Sequence, residues 1–378
     1  GRIGARVFGD PVNECIQINE ESIWAGSGIN NNNPAALVNL PRLQDAIFRG
    51  DIRSAEKIAA DNFIGTPPRI RSYQPLGELL ISYMWDEPVT GYQRRLDLQK
   101  GIATTSFSSG GHLFTQMVFA SAVDNVIAVR IGAVRGGEIN ASFKLRRDRD
   151  AEIKLSEYGT IVLSGQIIDA PDSLSGPGGQ HMKFAGEARF MVRKGKLSVE
   201  GNRLKISGAD NIVALITAAT DYNIDYLDFD RSVDPGLVCK KILDRAMAKP
   251  WETLVNNHIN EHSRMFDRVS LDFGPDSMNI LPVNERLVRI KSGREDNGLV
   301  ALYFQYGRYL LMGSSRAPGI LPANLQGIWN KDYNAPWNSD FHTNINLQMN
   351  YWPAEVCNLP ETAEVLAGFI KRITEPEI

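Results

Sequence analysis

His342, Asn344 and Asn346 stand at alternate positions near the end of a 378-residue chain. An imidazole and two neutral amides supply hydrogen-bond donors and acceptors without a strong base, which suits holding a hydroxyl or a water. Side chains alternate along an extended backbone, so all three project from one face of a stretched segment; a helix would turn the two amides to nearly opposite sides. The spacing therefore predicts an extended segment. Around it, residues 321–361 hold Trp329, Trp337, Trp352, Tyr333, Phe341 and Tyr351 among eight asparagines. Aromatic faces beside amides fit a sugar, which offers a C–H face for stacking and hydroxyls for bonding. Trp337 is among the aromatic residues that could stack on such a face, a candidate for substrate binding. Most of the eight asparagines read instead as caps and turn formers, Asn334 before Ala335 and Pro336 being one.

Past Asn346 the period changes. Leu347, Asn350 and Tyr351 fit one face of a short helix limited by Pro353, so the triplet sits on a loop entering a helix. Upstream, Ile3, Ala5 and Val7 alternate, then a turn leads into Cys15–Ile18, an opening hairpin. Leu37, Leu40, Leu43 and Ile47 follow helical spacing, and Asp51 is placed to cap a second helix with Ile52, Ala55, Ile58 and Ala59 inward. From Tyr73 to Thr220 short runs rich in Val, Ile, Phe and Thr (79–83, 103–107, 113–120, 126–131, 161–163, 188–192, 212–217) indicate an antiparallel sandwich. Between Asp230 and Asp296 the pattern is helical, with Trp251, Leu254, Val255, His258, His262, Phe266 and Val269 on one stripe. Asp296 caps a further helix whose Leu299, Leu302, Tyr303, Tyr306, Leu310 and Leu311 make a wide apolar face. The pattern from Lys371 to Ile378 is helical with no stop signal.

Composition is that of a globular protein: 43% hydrophobic, 22% charged, net charge −3. No basic field invites nucleic acid, and no apolar run reaches the ~18 residues of a membrane span. Cys15, Cys239 and Cys357 are too few and too scattered for a disulfide framework. His258, Glu261 and His262 spell the H-x-x-E-H of one metalloprotease group, yet both histidines continue the apolar stripe and no third ligand is evident, so packing explains them and no metal is expected. The glycine-rich run 173–179 lacks the lysine and following helix of a phosphate loop. Cys357 reads as a buried structural thiol rather than a partner of His342. Asp332, Asp340, Glu355 and Glu361 are the carboxylates near the triplet that could serve as acid or base.

The motifs LPANLQGIWN, PWNSDFHTNINLQMNYWPAE and YFQYGRYLLMGSSR resemble glycoside hydrolase family 95, the inverting α-L-fucosidases. So do GRIGARVFG, IQINEESIWAG, YQPLGELLI and YQRRLDLQKGIATTSF, in the family's order over nearly the whole chain. The resemblance implies a multidomain β + α fold: a large N-terminal β-sandwich (residues 1–229), a helical linker (230–295) and the beginning of a truncated (α/α)6 barrel (296–378). It implies that Asn344 and Asn346 are catalytic, holding the attacking water with an aspartate from later in the barrel, while His342 bonds the sugar. Inversion needs such a water opposite the leaving group and a carboxylic acid beside it. The family's glutamate acid and aspartate lie beyond Ile378, so the chain reads as the front of a hydrolase, inactive alone and using no cofactor.

The implied substrate is a fucosylated oligosaccharide or glycan, met outside the cytoplasm in an extracellular or periplasmic setting; oligomeric state is left open. The alternatives are an α-L-galactosidase of the same family, whose sugar differs by a hydroxyl at C6, a non-catalytic carbohydrate-binding protein, and a related disaccharide phosphorylase.

Overall fold

The computed structural model describes residues 1–134 and 136–374. Gly77–Tyr83 buries every second residue, as a strand with one face on a core does. It belongs to a six-stranded sheet ordered Ile3–Val7, Asn13–Glu20, Gly77–Tyr83, Ile139–Arg146, Arg203–Ala209, Lys196–Glu200. An eight-stranded sheet faces it, ordered Thr90–Asp97, Ile102–Ser109, His112–Ser121, Val126–Val134, Asn211–Thr220, Gly179–Arg193, Thr160–Asp169, Ala151–Ser156. The two share one core built from residues such as Ile16, Leu79, Phe143, Phe107, Ile131 and Phe184. This is the expected antiparallel sandwich, and every strand run read from the sequence falls within one of its strands. A strand, not a helix, follows the glycine-rich run 173–179.

The strand Asn211–Thr220 departs from alternation, with its eight central residues all buried. Its outer face is covered by two helices, α3 (Pro235–Met247) and α4 (Trp251–Phe266), which follow α1 (Ala35–Phe48) and α2 (Ile52–Asn62) in the chain. Val126, Ala128, Val213 and Leu215 pack there against Leu243, Ala246 and Leu254. Burial on both faces is what turns an alternating strand into a continuous apolar run. Each such aliphatic side chain contributes about 1.5–3 kcal/mol on burial, which fastens α3 and α4 to the sandwich as a third layer. By contrast Thr90–Asp97 is exposed almost throughout; its polar composition, unread as a strand, is that of a protected sheet edge.

The stripe on α4 is buried as expected through Leu254, His258, His262 and Phe266, although the helix ends before Val269. After it come α5 (Val283–Lys291), α6 (Asn297–Ser314), α7 (Asn346–Val356) and α8 (Pro360–Thr374). Met265, Phe266, Leu311, Met312, Leu347, Tyr351 and Ala354 form their core. Asp51 and Asp296 cap α2 and α6, accepting from Ser54 and Leu299 backbone N–H at 3.1 and 2.9 Å. The segment expected to be helical to Ile378 is helix to Thr374, and residues 375–378 lie outside the described residues.

Three local expectations are corrected. Helices α1 and α2 do not bury the stripe read on them: Leu37 is 79% exposed, Ile47 and Ile52 are exposed, and only Ala46 and Ala55 are buried. Periodicity reports an apolar face but not what covers it, and these two helices pack chiefly on each other. Likewise the face of α6 is split, Leu299 and Leu311 being buried while Tyr303 and Tyr306 are exposed. Pro353 lies inside α7, which continues to Val356; losing one N–H donor near the end of a short helix is tolerated where packing holds it, here through Tyr351 and Ala354.

Candidate active site

The segment carrying His342, Asn344 and Asn346 is not extended. Residues 343–345 form a turn, Asn346 is the first residue of α7, and Leu347 N–H donates to His342 O at 3.2 Å. Gln348 locks this turn: its Oε1 accepts from Ile345 N–H at 2.7 Å and its Nε2 donates to Thr343 O at 2.7 Å. The physical reason lies in helix initiation, where a glutamine in the first turn reaches back to an otherwise unpaired N–H. Strand alternation therefore cannot be what aligns the triplet. The turn instead keeps its three residues within a single loop of chain.

Backbone strain is concentrated here. Trp337, Asn338, Ser339, His342 and Ile345 all have positive φ, between 29° and 86°. None is glycine, and each such residue costs of order 1–3 kcal/mol, so the conformation persists only where neighbours over-determine it. Those neighbours come largely from the sandwich. Tyr73 N–H donates to Asn338 O at 2.9 Å, Ala335 N–H to Ser72 Oγ at 2.9 Å, and Asn338 Nδ2 to Ile70 O at 3.2 Å. Ser339 Oγ donates to Asn324 Oδ1 at 2.9 Å inside the loop.

The fully buried Asn330 is a second anchor. Its Nδ2 donates to Tyr73 O and Asp332 O at 2.9 and 2.8 Å, and its backbone exchanges bonds with the side chain of Asn19. Asn350 donates to Ala323 O at 3.2 Å. Thus Asn324, Asn330, Asn338 and Asn350, four of the eight asparagines of this stretch, are structural. Asn344 and Asn346 are both exposed, and neither amide makes a hydrogen bond among the described residues, which is true of Asn334 and Asn358 as well.

Trp337 is 78% exposed and meets the His342 ring edge to face at 5.9 Å. Asp340 accepts from His342 N–H at 3.0 Å, and its Oδ1 lies against His342 Nδ1. Asp340 thus holds the backbone at His342, while His342 Nδ1, close to that carboxylate, makes no hydrogen bond. Asp340 was weighed only as an acid or base; an aspartate two residues before another polar residue is also the signature of a side chain bonding that residue's N–H. Phe341 packs on Trp24 of the sandwich at 5.1 Å and on Phe369 of α8 at 5.3 Å. Trp24 and Tyr73 were not read as part of this region, because their contribution depends on long-range contact.

Of the other carboxylates, Glu361 and Asp332 have cationic partners. Glu361 forms a two-pronged pair with Arg268 at 2.9 and 2.6 Å, and that guanidinium holds its carboxyl below the usual range, the wrong direction for a proton donor. Asp332 pairs with Lys331, and Glu355 is exposed. Burial, reinforced by Glu20, pushes Glu21 up to about 7, but its oxygens accept from Ile320 and Leu321 N–H.

The H-x-x-E-H spelling is explained by packing. His258 and His262 direct Nε2 at Gly101 O and Leu98 O, at 3.2 and 2.8 Å, while Glu261 is held by Arg316. Among the described residues no three His, Cys, Asp or Glu side chains converge as a metal site. Burial, then His262, lowers His258 to about 4. Between pH 6.5 and about 4 the unfolded chain therefore binds a proton there that the folded chain refuses, and His258 loses stability as pH falls. Glu21 works in the opposite sense, because its raised carboxyl favours the folded state at lower pH. Comparison with His258→Phe isolates the histidine: the wild-type advantage should shrink by roughly 3 kcal/mol between pH 7 and pH 4. Urea denaturation at both pH values reads this, and a constant difference would show that the folded imidazole is freely protonated.

Residues 250–377 match the glycosyl hydrolase family 95 catalytic domain, and residues 1–225 the glycosyl hydrolase family 65 N-terminal domain. The helical region is thus part of an α/α barrel domain behind a family 65-like sandwich. The chain is 31% identical over 400 residues to "Alpha-L-fucosidase 2" of Arabidopsis thaliana, covering 99% of this chain and 46% of that protein. It is 27% identical over 394 residues to "Probable alpha-fucosidase A" of Aspergillus niger, covering 100% and 48%. The chain spans about half the length of these relatives. Among solved structures, a "Putative kojibiose phosphorylase from human microbiome" aligns over 97% of this chain and 49% of its own, at 8% identity and a TM-score of 0.48.

Proposed function

Because residues 250–377 match the family 95 catalytic domain and the chain is similar to proteins named alpha-fucosidases, we propose that the complete protein hydrolyses terminal α-L-fucosyl linkages, α-1,2 bonds in particular, with inversion. The substrate is a fucosylated oligosaccharide or glycan encountered outside the cytoplasm. No described helix is long and apolar enough to cross a membrane.

One observation carries the assignment of roles: the amides of Asn344 and Asn346 are exposed and make no hydrogen bond among the described residues, at the turn that leads into α7 beside His342 and the exposed Trp337 indole. Trp337 would stack on the sugar's C–H face and His342 Nε2 would bond a hydroxyl. Asn344 and Asn346 would orient the attacking water, which an amide can do but cannot deprotonate. The general acid and the carboxylate that polarises that water belong to the part of the barrel beyond residue 378. We divide the chain into sandwich (1–229), helical linker (230–295) and the first part of the barrel (296–378).

The test is an assay of the complete gene product on an α-1,2-fucosylated oligosaccharide, with the product's anomer followed by NMR. Release of β-L-fucose as first product is expected, and residues 1–378 alone should release none. First appearance of the α-anomer refutes inversion, and a faster reaction on the α-L-galactosyl counterpart moves the substrate to the 6-hydroxylated sugar.

A further inference from the structure

Between the strands Asn13–Glu20 and Gly77–Tyr83 the chain leaves the sandwich, forms α1 and α2, and returns. The outgoing and returning ends of this excursion lie side by side. Trp24 and Tyr73 form an isolated antiparallel bridge, and Ala25 N–H donates to Ser72 O at 3.0 Å. Both ends also touch the candidate site loop. Trp24 packs between Tyr73 and Phe341, at 5.2 and 5.1 Å.

Ser72 is the polar pivot of this contact. It is 4% exposed, its Oγ accepts from Ala335 N–H at 2.9 Å, and its proton faces Tyr73 O at 3.0 Å and Asn338 O at 3.3 Å. The bonds fall on both sides of Pro336 and Trp337, just where the backbone enters the left-handed region at Trp337, Asn338 and Ser339. Bonds within the loop, Asn338 N–H to Ala335 O at 2.9 Å and Ser339 Oγ to Asn324 Oδ1 at 2.9 Å, share the work of holding three consecutive non-glycine residues there, each of which would relax to negative φ at a gain of about a kcal/mol or more. The bonds from the sandwich add the constraint that ties this turn to the rest of the fold.

We propose that Ser72 is a positioning residue of the sugar site, holding residues 335–342 in the strained form that presents Trp337 and His342. It touches no substrate. Its influence on sugar binding rests on the fucosidase reading, whereas its hold on the loop does not.

The experiment uses the complete protein with Ser72→Ala, Ser72→Thr as the hydroxyl-retaining control, and Asn338→Gly. The glycine keeps left-handed freedom while removing the bond to Ile70 O. Steady-state kinetics on an α-1,2-fucosylated oligosaccharide are paired with hydrogen exchange of a peptide spanning 335–342. Ser72→Ala should raise KM about tenfold with kcat changed less, the size expected from one or two lost hydrogen bonds. Exchange within 335–342 should quicken while sandwich peptides stay as in wild type, Ser72→Thr should move both readouts back toward wild type, and Asn338→Gly should shift them as Ser72→Ala does. Wild-type KM and wild-type exchange in both Ser72→Ala and Asn338→Gly overturn the proposal. If Ser72→Ala loosens every peptide alike, Ser72 supports the fold as a whole rather than the loop, and the proposal is overturned. A wild-type protein that releases no fucose refutes the functional reading, and the exchange arm alone then decides whether Ser72 holds the loop.

Discussion

On the proposed mechanism, alanine at Asn344 or at Asn346 is expected to lower kcat of the complete protein by at least about 100-fold, equivalent to about 2.7 kcal/mol of transition-state stabilisation. The effect is that large because an inverting hydrolase gains most of its advantage from holding one water in line with the bond being broken. A neutral amide costs nothing to keep unprotonated and fixes that water through directional bonds. Folding should survive both substitutions, since the side chains are exposed and make no hydrogen bond among the described residues; the thermal midpoint should stay within a few degrees. KM should move far less than kcat, the signature of an interaction realised in the transition state. Both variants within twofold of wild type would leave the two asparagines as ordinary turn residues at the head of α7.

Arg308→Met should cost about 3–5 kcal/mol of unfolding free energy, read by chemical denaturation. The guanidinium is 2% exposed. It donates to Phe266 O at 2.7 Å, Met265 O at 3.1 Å, Val269 O and Cys357 O at 3.2 Å, and Gln305 Oε1 at 2.8 Å. One side chain on α6 thereby satisfies carbonyls at the ends of α4 and α7, groups that helix geometry leaves without partners. Methionine fills a similar volume but abandons several buried carbonyls at about 1–3 kcal/mol each. The loss is smaller than their sum because burial already disfavours the cation, as its lowered pKa shows. Lysine, with a compact ammonium instead of a planar fork, should recover only part of the loss. A change under about 1 kcal/mol would mean that water reaches those carbonyls.

Both predictions concern residues whose surroundings the sequence disclosed unequally. Asn344 and Asn346 stood out by type and spacing, and by the resemblance to family 95, but the conformation argued from that spacing was wrong. Period-two spacing assumes a strand, and here Gln348 and five left-handed residues impose a turn instead. Arg308 did not stand out, for an arginine within an apolar helix gives no sign of which carbonyls await it. The glutamine two residues past Asn346 was the one local signal of the turn.

What the sequence determined alone follows from short-range rules. Alternation located the sandwich strands, Asp51 and Asp296 announced the helices they cap, and the buried stripe on α4 explained His258 and His262 without a metal. Each depends on the periodicity of a single element or on bonds spanning a few residues. The tertiary structure alone decided that α1 and α2 leave their apolar stripe uncovered, that Asn211–Thr220 is buried on both faces, and that Ser72 and Tyr73 hold the loop before His342. Those outcomes depend on which surfaces meet across hundreds of residues, and a residue's own neighbours in the chain carry no record of that meeting.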